Sequence, residues 1–117
     1  MPNVPTNINN VITEFIQSVN EILGDRVKKI ILYGSYARGD YNKSSDIDIM
    51  ILTDLTDEEM YDYFVKISDI AYDIEEANNF DIWLSPLVKN IDKFNYWLEA
   101  LPFYMNVQKE GVVLSEA

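Results

Sequence analysis

The sequence predicts an α/β (α+β) fold, a small mixed sheet flanked by helices in the order αβ(α)βαβα. Apolar residues recur at helical spacing in the early and middle parts of the chain. Short β-branched runs, each closed by glycine or a polar turn, lie between those segments. The 117 residues are 48% hydrophobic and 13% aromatic, which suits a single domain, residues 1–117, with a real core.

The first helix is read from Ile12, Phe15, Ile16, Val19, Ile22 and Leu23, with Gly24 at its C-terminal end. Lys28 to Tyr33 is an inner strand stopped by Gly34. Gly34 to Ser45 is small and polar, a turn with a short helix, in which Lys43, Ser44 and Ser45 read as loop residues. Asp46 to Leu52 is the second strand. Thr56 and Glu59 fit a capping box, and the helix they open places Met60, Phe64, Ile67, Ala71 and Ile74 on a core-facing stripe. Asn78-Asn79 turns into a third strand, Phe80 to Leu84. From Ile91 the pattern is helical again, with Pro102 starting a last helix and Gly111 ending it. Val112-Val113-Leu114 reads as an edge strand or an apolar tail.

Composition excludes several chemistries. There is no cysteine and no histidine, hence no disulfide, thiol nucleophile, imidazole base or zinc site of the usual ligands. Acid–base work would fall to carboxylates, and a metal would be a hard, oxygen-liking cation. With 20 acidic against 9 basic residues the net charge is −11, which argues against long nucleic acid as a partner. No run approaches the ~20 apolar residues of a membrane span, and Met1 to Asn10 lacks the pattern of a signal peptide. The expectation is a cytoplasmic protein that binds no membrane.

The chemistry concentrates on the second strand. Alternation puts Ile47, Ile49 and Ile51 on one face and Asp46, Asp48, Met50 and Leu52 on the other. Two carboxylates ~6.6 Å apart along a strand repel by ~2.5 kcal/mol at an effective dielectric of 20, and a divalent cation turns that repulsion into coordination. If the third strand is its neighbour, Asp81 converges on the same site, and three carboxylates fit a two-metal arrangement for attack on phosphorus. Gly34-Ser35 permits close backbone approach to phosphate, and Ser35 adds a hydroxyl. Arg38, one turn on, reaches either a phosphate or one of the many carboxylates. Gly34 and Gly39 have the spacing of P-loop glycines, but Asp40-Tyr41 stand where Lys-Ser/Thr is needed. Asp46-x-Asp48 starts like a calcium-binding EF-hand loop, but Met50 occupies the third ligand position.

Gly34-Ser35, ten residues, then Asp46-x-Asp48 is similar to the signature of polymerase-beta-type nucleotidyltransferases. The stretch GSYARGDYNKSSDIDIMIL, residues 34 to 52, resembles their minimal nucleotidyltransferase (MNT) branch, including the MntA-type antitoxins of HEPN/MNT pairs. QKEGVVL, residues 108 to 114, looks like the closing segment of such proteins. The resemblance implies transfer of a nucleoside monophosphate, AMP from ATP, to an acceptor hydroxyl with release of pyrophosphate. It implies Asp46 and Asp48 as ligands of Mg²⁺, two ions in all, with Asp81 completing one metal site and assisting deprotonation. Gly34, Ser35 and Arg38 would hold the phosphates, and the partner would be a HEPN-type toxin. Two alternatives stand beside this: neutralisation by binding alone, and transfer to a small molecule such as an antibiotic. For the latter only 36 residues follow Asp81, little for a separate acceptor domain. Tyr61, Tyr63, Tyr96 and Tyr104 exceed what one core buries, and are either partly exposed helix residues or interface anchors. An acidic surface would suit a basic partner.

Overall fold

The computed structural model describes residues 3–117. Helix α1 (Thr6–Leu23) buries Ile8, Val11, Ile12, Phe15, Val19 and Leu23 along one line. Ile22, expected on that stripe, is 36% exposed, because one residue along a helix is about 100° around it and Leu23 already takes the inward place. A 3-10 turn at Gly24–Arg26 leads into β1 (Val27–Tyr33). Helix α2 (Ser35–Arg38) is a single turn, and a loop returns the chain to β2 (Ile47–Thr53). Helix α3 (Asp57–Ala77) follows, then β3 (Leu84–Asn90), α4 (Ile91–Trp97), α5 (Pro102–Glu110) and β4 (Val112–Glu116).

The four strands form one mixed sheet in the order β3-β2-β1-β4. β1 is antiparallel to β2 and to β4, while β2 and β3 run parallel. A parallel pair needs a crossover, and α3 supplies it. The isoleucines of β2 behave as the alternation predicts. Ile47, Ile49 and Ile51 join Ile30, Leu32 and the buried residues of α1 and α3 in one core. Met50 and Leu52 face the other way, against Ile31, Phe94 of α4 and Val107 of α5. Both faces of β2 are therefore covered, which is why its sequence is nearly continuous in apolar residues.

The capping box at the start of α3 forms as expected: Glu59 N–H donates to the Thr56 hydroxyl at 3.3 Å, and Thr56 N–H donates to the Glu59 carboxylate at 3.0 Å. Ile67, Ala71 and Ile74 are buried, but Phe64 is 42% exposed. Tyr63 packs on the core in its place, beside Met60 and Ile70. Residues 112 to 116 form an edge strand rather than a tail. Gly111 makes that strand possible, since a Cβ there would collide with Ile31 Cγ2 and the Val107 carbonyl where α5 turns into β4.

The third strand is displaced from its expected place, Phe80 to Leu84. The end of α3 runs on into a turn: Asn78 N–H donates to the Ile74 carbonyl, Phe80 N–H to that of Glu75 and Asp81 N–H to that of Asn78. Asn79 and Phe80 both hold φ 56°, a conformation that excludes an extended run. Pairing starts only at Leu84, whose N–H donates to the Glu75 carboxylate at 2.9 Å. The observed strand contains Pro86, which an edge position tolerates because its missing N–H costs no ladder bond on the open side. Asp81 thus lies in a loop, not on a strand.

Candidate active site

The end of β1 and the start of β2 lie side by side, with Tyr33 paired to Asp48 across the ladder. Asp46 stands just before β2, presented by a tight loop in which Asn42 N–H donates to Ser45 Oγ at 2.9 Å and Ser44 N–H to Asn42 Oδ1 at 2.8 Å. Tyr36, buried, stacks on Tyr41 at 4.5 Å between ring centroids and fixes the near end of the same loop.

Gly34 is where backbone and carboxylate meet. Its φ 76° and ψ −157° fall in a region essentially restricted to glycine. A Cβ there would collide with the Asp48 Oδ2 oxygen, so the bend closes around the carboxylate only because residue 34 has no side chain. Asp48 is half-buried. Burial, and then the charge of Asp46, push its carboxyl above the usual aspartate range, with the Arg38 guanidinium opposing. The Tyr33 hydroxyl is pushed up to about 12, by burial and then by the charge of Asp48.

Arg38 is engaged with protein carboxylates: Nε donates to Asp40 at 3.1 Å and Nη1 to Glu110 of α5 at 3.3 Å. Both pairs are exposed, so they are weak and exchangeable. Because α2 is one turn long, its dipole adds little, and the groups here that could meet a phosphate are the bend's backbone, the Ser35 hydroxyl and Arg38.

Gly34, Ser35, Arg38, Asp46 and Asp48 are thus brought together, and Asp81 is not. The β2–β3 register sets Ser85, not an acid, beside Asp48. Asp81 instead lines a cavity of about 570 Å³ with Ile8, Tyr36, Tyr41, Ser45 and Ile47. Among the described residues no three acidic, histidine or cysteine side chains are placed to share an ion. The expected convergence of three carboxylates is therefore not found among the described residues, and Asp81 stands in the loop that precedes β3. What remains is a two-carboxylate oxygen donor set, one member half-buried with its charge disfavoured. That fits Mg²⁺, which takes one or two protein carboxylates and completes its shell with water and substrate phosphates.

Residues that the sequence reading did not assign also line the site. A second cavity, of about 330 Å³, opens beside Gly34 and Tyr33 and is bounded by Arg38, Phe103, Asn106, Val107 and Glu110. The signal was present in α5, where 103, 106, 107 and 110 are spaced as one helical face.

A protein-family model described as a nucleotidyltransferase domain matches residues 12–113. A candidate protein adenylyltransferase of Methanocaldococcus jannaschii, MJ0604, is 34% identical over 108 residues, covering 92% of this chain and 98% of its own. A candidate nucleotidyltransferase of Sulfolobus solfataricus superposes with a TM-score of 0.57 at 18% identity, covering 92% of this chain and 78% of that one. A toxin-antitoxin structure with AMP-PNP gives 0.52 at 20% identity (88% and 72% covered). An MntA-HpeT toxin-antitoxin mutant gives 0.51 at 18% (87% and 71%).

Proposed function

Given that the chain belongs to the nucleotidyltransferase domain family, we propose that it moves AMP from ATP onto a hydroxyl of a partner protein, a HEPN-type toxin that it thereby neutralises. The observation that carries this reading is the closure of the Gly34 bend on the Asp48 carboxylate, with Asp46 alongside. The protein acceptor is supported by the similarity to a candidate protein adenylyltransferase. ATP and the toxin partner are supported by the likeness to a toxin-antitoxin structure with AMP-PNP.

Asp46 and Asp48 would hold Mg²⁺, which offsets the charge of the triphosphate when bound. The bend at Gly34 and Ser35 takes the terminal phosphates, and Arg38 exchanges Glu110 and Asp40 for a phosphate oxygen, a stronger and bidentate partner. The acceptor oxygen bonds to the α-phosphorus, the bond to the bridging oxygen breaks, pyrophosphate leaves and the hydroxyl proton passes to water. The chain's residues position and neutralise; they form no covalent bond to the nucleotide.

Neutralisation by binding alone is the competing reading, favoured by the exposed aromatics Tyr61 (72%) and Tyr96 (77%). Co-expression of the partner with Asp46→Asn/Asp48→Asn discriminates: loss of protection supports transfer, and full protection supports masking. Asp81→Asn in the same assay reads the role of the residue that stands apart, and the geometry leads us to expect protection close to that of the unaltered chain.

A further inference from the structure

The cavity beside Gly34 and the one lined by Asp81 lie on opposite faces of the sheet. Asp48 alternates onto the face of Met50 and Leu52 and pairs with Tyr33, which packs on the side covered by α4 and α5; Val107 from that side forms part of the smaller cavity. The larger cavity is lined by Ile8 and Ile47 of the other core. A nucleotide whose phosphates sit at Gly34 and whose metal sits on Asp48 therefore has its remaining half on the α5 side.

The walls there suit a flat heterocycle. Tyr33 and Phe103 meet edge to face at 5.7 Å between centroids, Tyr104 lies 5.9 Å from Phe103, and Phe103 still keeps 45% of its surface exposed. Asn106 stands beside it with an amide that both donates and accepts, the pairing that reads adenine at N6 and N7. Arg38 and Glu110 are joined where they border the cavity. About 330 Å³ lies at the low end of the ~300–1,000 Å³ of small-ligand pockets, room for a nucleoside and little more.

We propose that this cavity is the nucleoside subsite, in which Phe103 stacks an adenine ring and Asn106 reads its edge. The inference rests on the triphosphate reading above and adds the origin of base selectivity. Binding calorimetry on the full chain with Mg²⁺ tests it, using ATP, UTP and inorganic tripolyphosphate as ligands. ATP is expected to bind at least about tenfold more tightly than tripolyphosphate, since base–aromatic stacking supplies that much. Phe103→Leu, which keeps the apolar volume without the ring, should shrink that gap while leaving tripolyphosphate affinity unchanged. Asn106→Leu should bring ATP and UTP closer together. Equal affinity for ATP and tripolyphosphate, or an ATP preference untouched by both variants, overturns the subsite alone. Failure of all three ligands to bind overturns the triphosphate reading and the subsite with it.

Discussion

Residue 34 carries more consequence than any other glycine in the chain. Gly34→Ala must accommodate a backbone conformation costing ~1–3 kcal/mol for other residues, and a methyl group in the space of the Asp48 carboxylate. A fall in unfolding free energy of at least that size in urea is expected, together with loss of transfer. Asp48→Asn should separate the two properties. Its carboxyl is raised above the usual aspartate range, so the charged form costs folding free energy at neutral pH without metal. That cost fades as pH falls and the carboxyl protonates. The variant should therefore be more stable than the unaltered chain near pH 7 in metal-free buffer, the advantage vanishing on acidification below the usual aspartate value. Its transfer rate should drop by about a hundredfold or more, the loss of several kcal/mol of charge stabilisation. The shared face of Asp46 and Asp48 was readable from alternation, and the bend from the glycine that stops β1, whereas their meeting depends on the pairing of Tyr33 with Asp48. Asp81 was misplaced because Asn79 and Phe80 adopt positive φ, and nothing in a Phe-Asp-Ile-Trp-Leu run announces that.

At the scale of elements, α3 is anchored where the capping box meets Arg26. That guanidinium donates to both Glu59 oxygens at 2.8 and 2.9 Å and to Asp54, tying the 3-10 turn before β1 to the helix that follows β2. The Arg26 guanidinium first, then the Thr56 backbone, hold the Glu59 carboxyl down to about 2 from an ordinary 4.5. A depressed acid stabilises the fold above its unfolded value and loses that contribution as pH falls through the folded one. The stability lead over Glu59→Gln should be full above pH 4.5, shrink between 4.5 and about 2 and be gone below, as read by urea unfolding across that range. The box was legible from Thr56-x-x-Glu59, whereas Arg26 was not, because its contact spans 33 residues. Strand β3 was expected too early, at Phe80 to Leu84 rather than Leu84–Asn90, for a related reason. Pro86 argues against a strand until one knows that the segment lies at the sheet's edge, and that is a property of the assembled fold.

The whole molecule is a sheet covered on both faces, with a net charge of −11 and large aromatic side chains left outside. Tyr72, Phe80 and Trp83 form one exposed cluster, with ring centroids 5.7 and 6.3 Å apart. No helix among the described residues is long and apolar enough to cross a membrane. The element order and the isoleucine face of β2 were readable from periodicity, whereas the second covered face, with Met50 and Leu52 against α4 and α5, was not. Which aromatics stay outside was only half readable: Tyr61 and Tyr96 are exposed, while Tyr63 and Tyr104 are half-buried against the two cores. A basic partner drawn by this charge should associate more slowly as salt is raised, since screening shortens from ~10 Å at 0.1 M to ~3 Å at 1 M. Stopped-flow association rates should fall severalfold over that range while dissociation changes little.

Mass spectrometry of the intact partner, after incubation with ATP, Mg²⁺ and either the unaltered chain or Asp48→Asn, bears on all three scales at once. The expected result is a partner heavier by whole adenylyl groups with the unaltered chain, and of unchanged mass with the variant. A partner that gains nothing from the unaltered chain, or gains as much from Asp48→Asn, would contradict the assignment of transfer to the Asp46/Asp48 pair at the Gly34 bend.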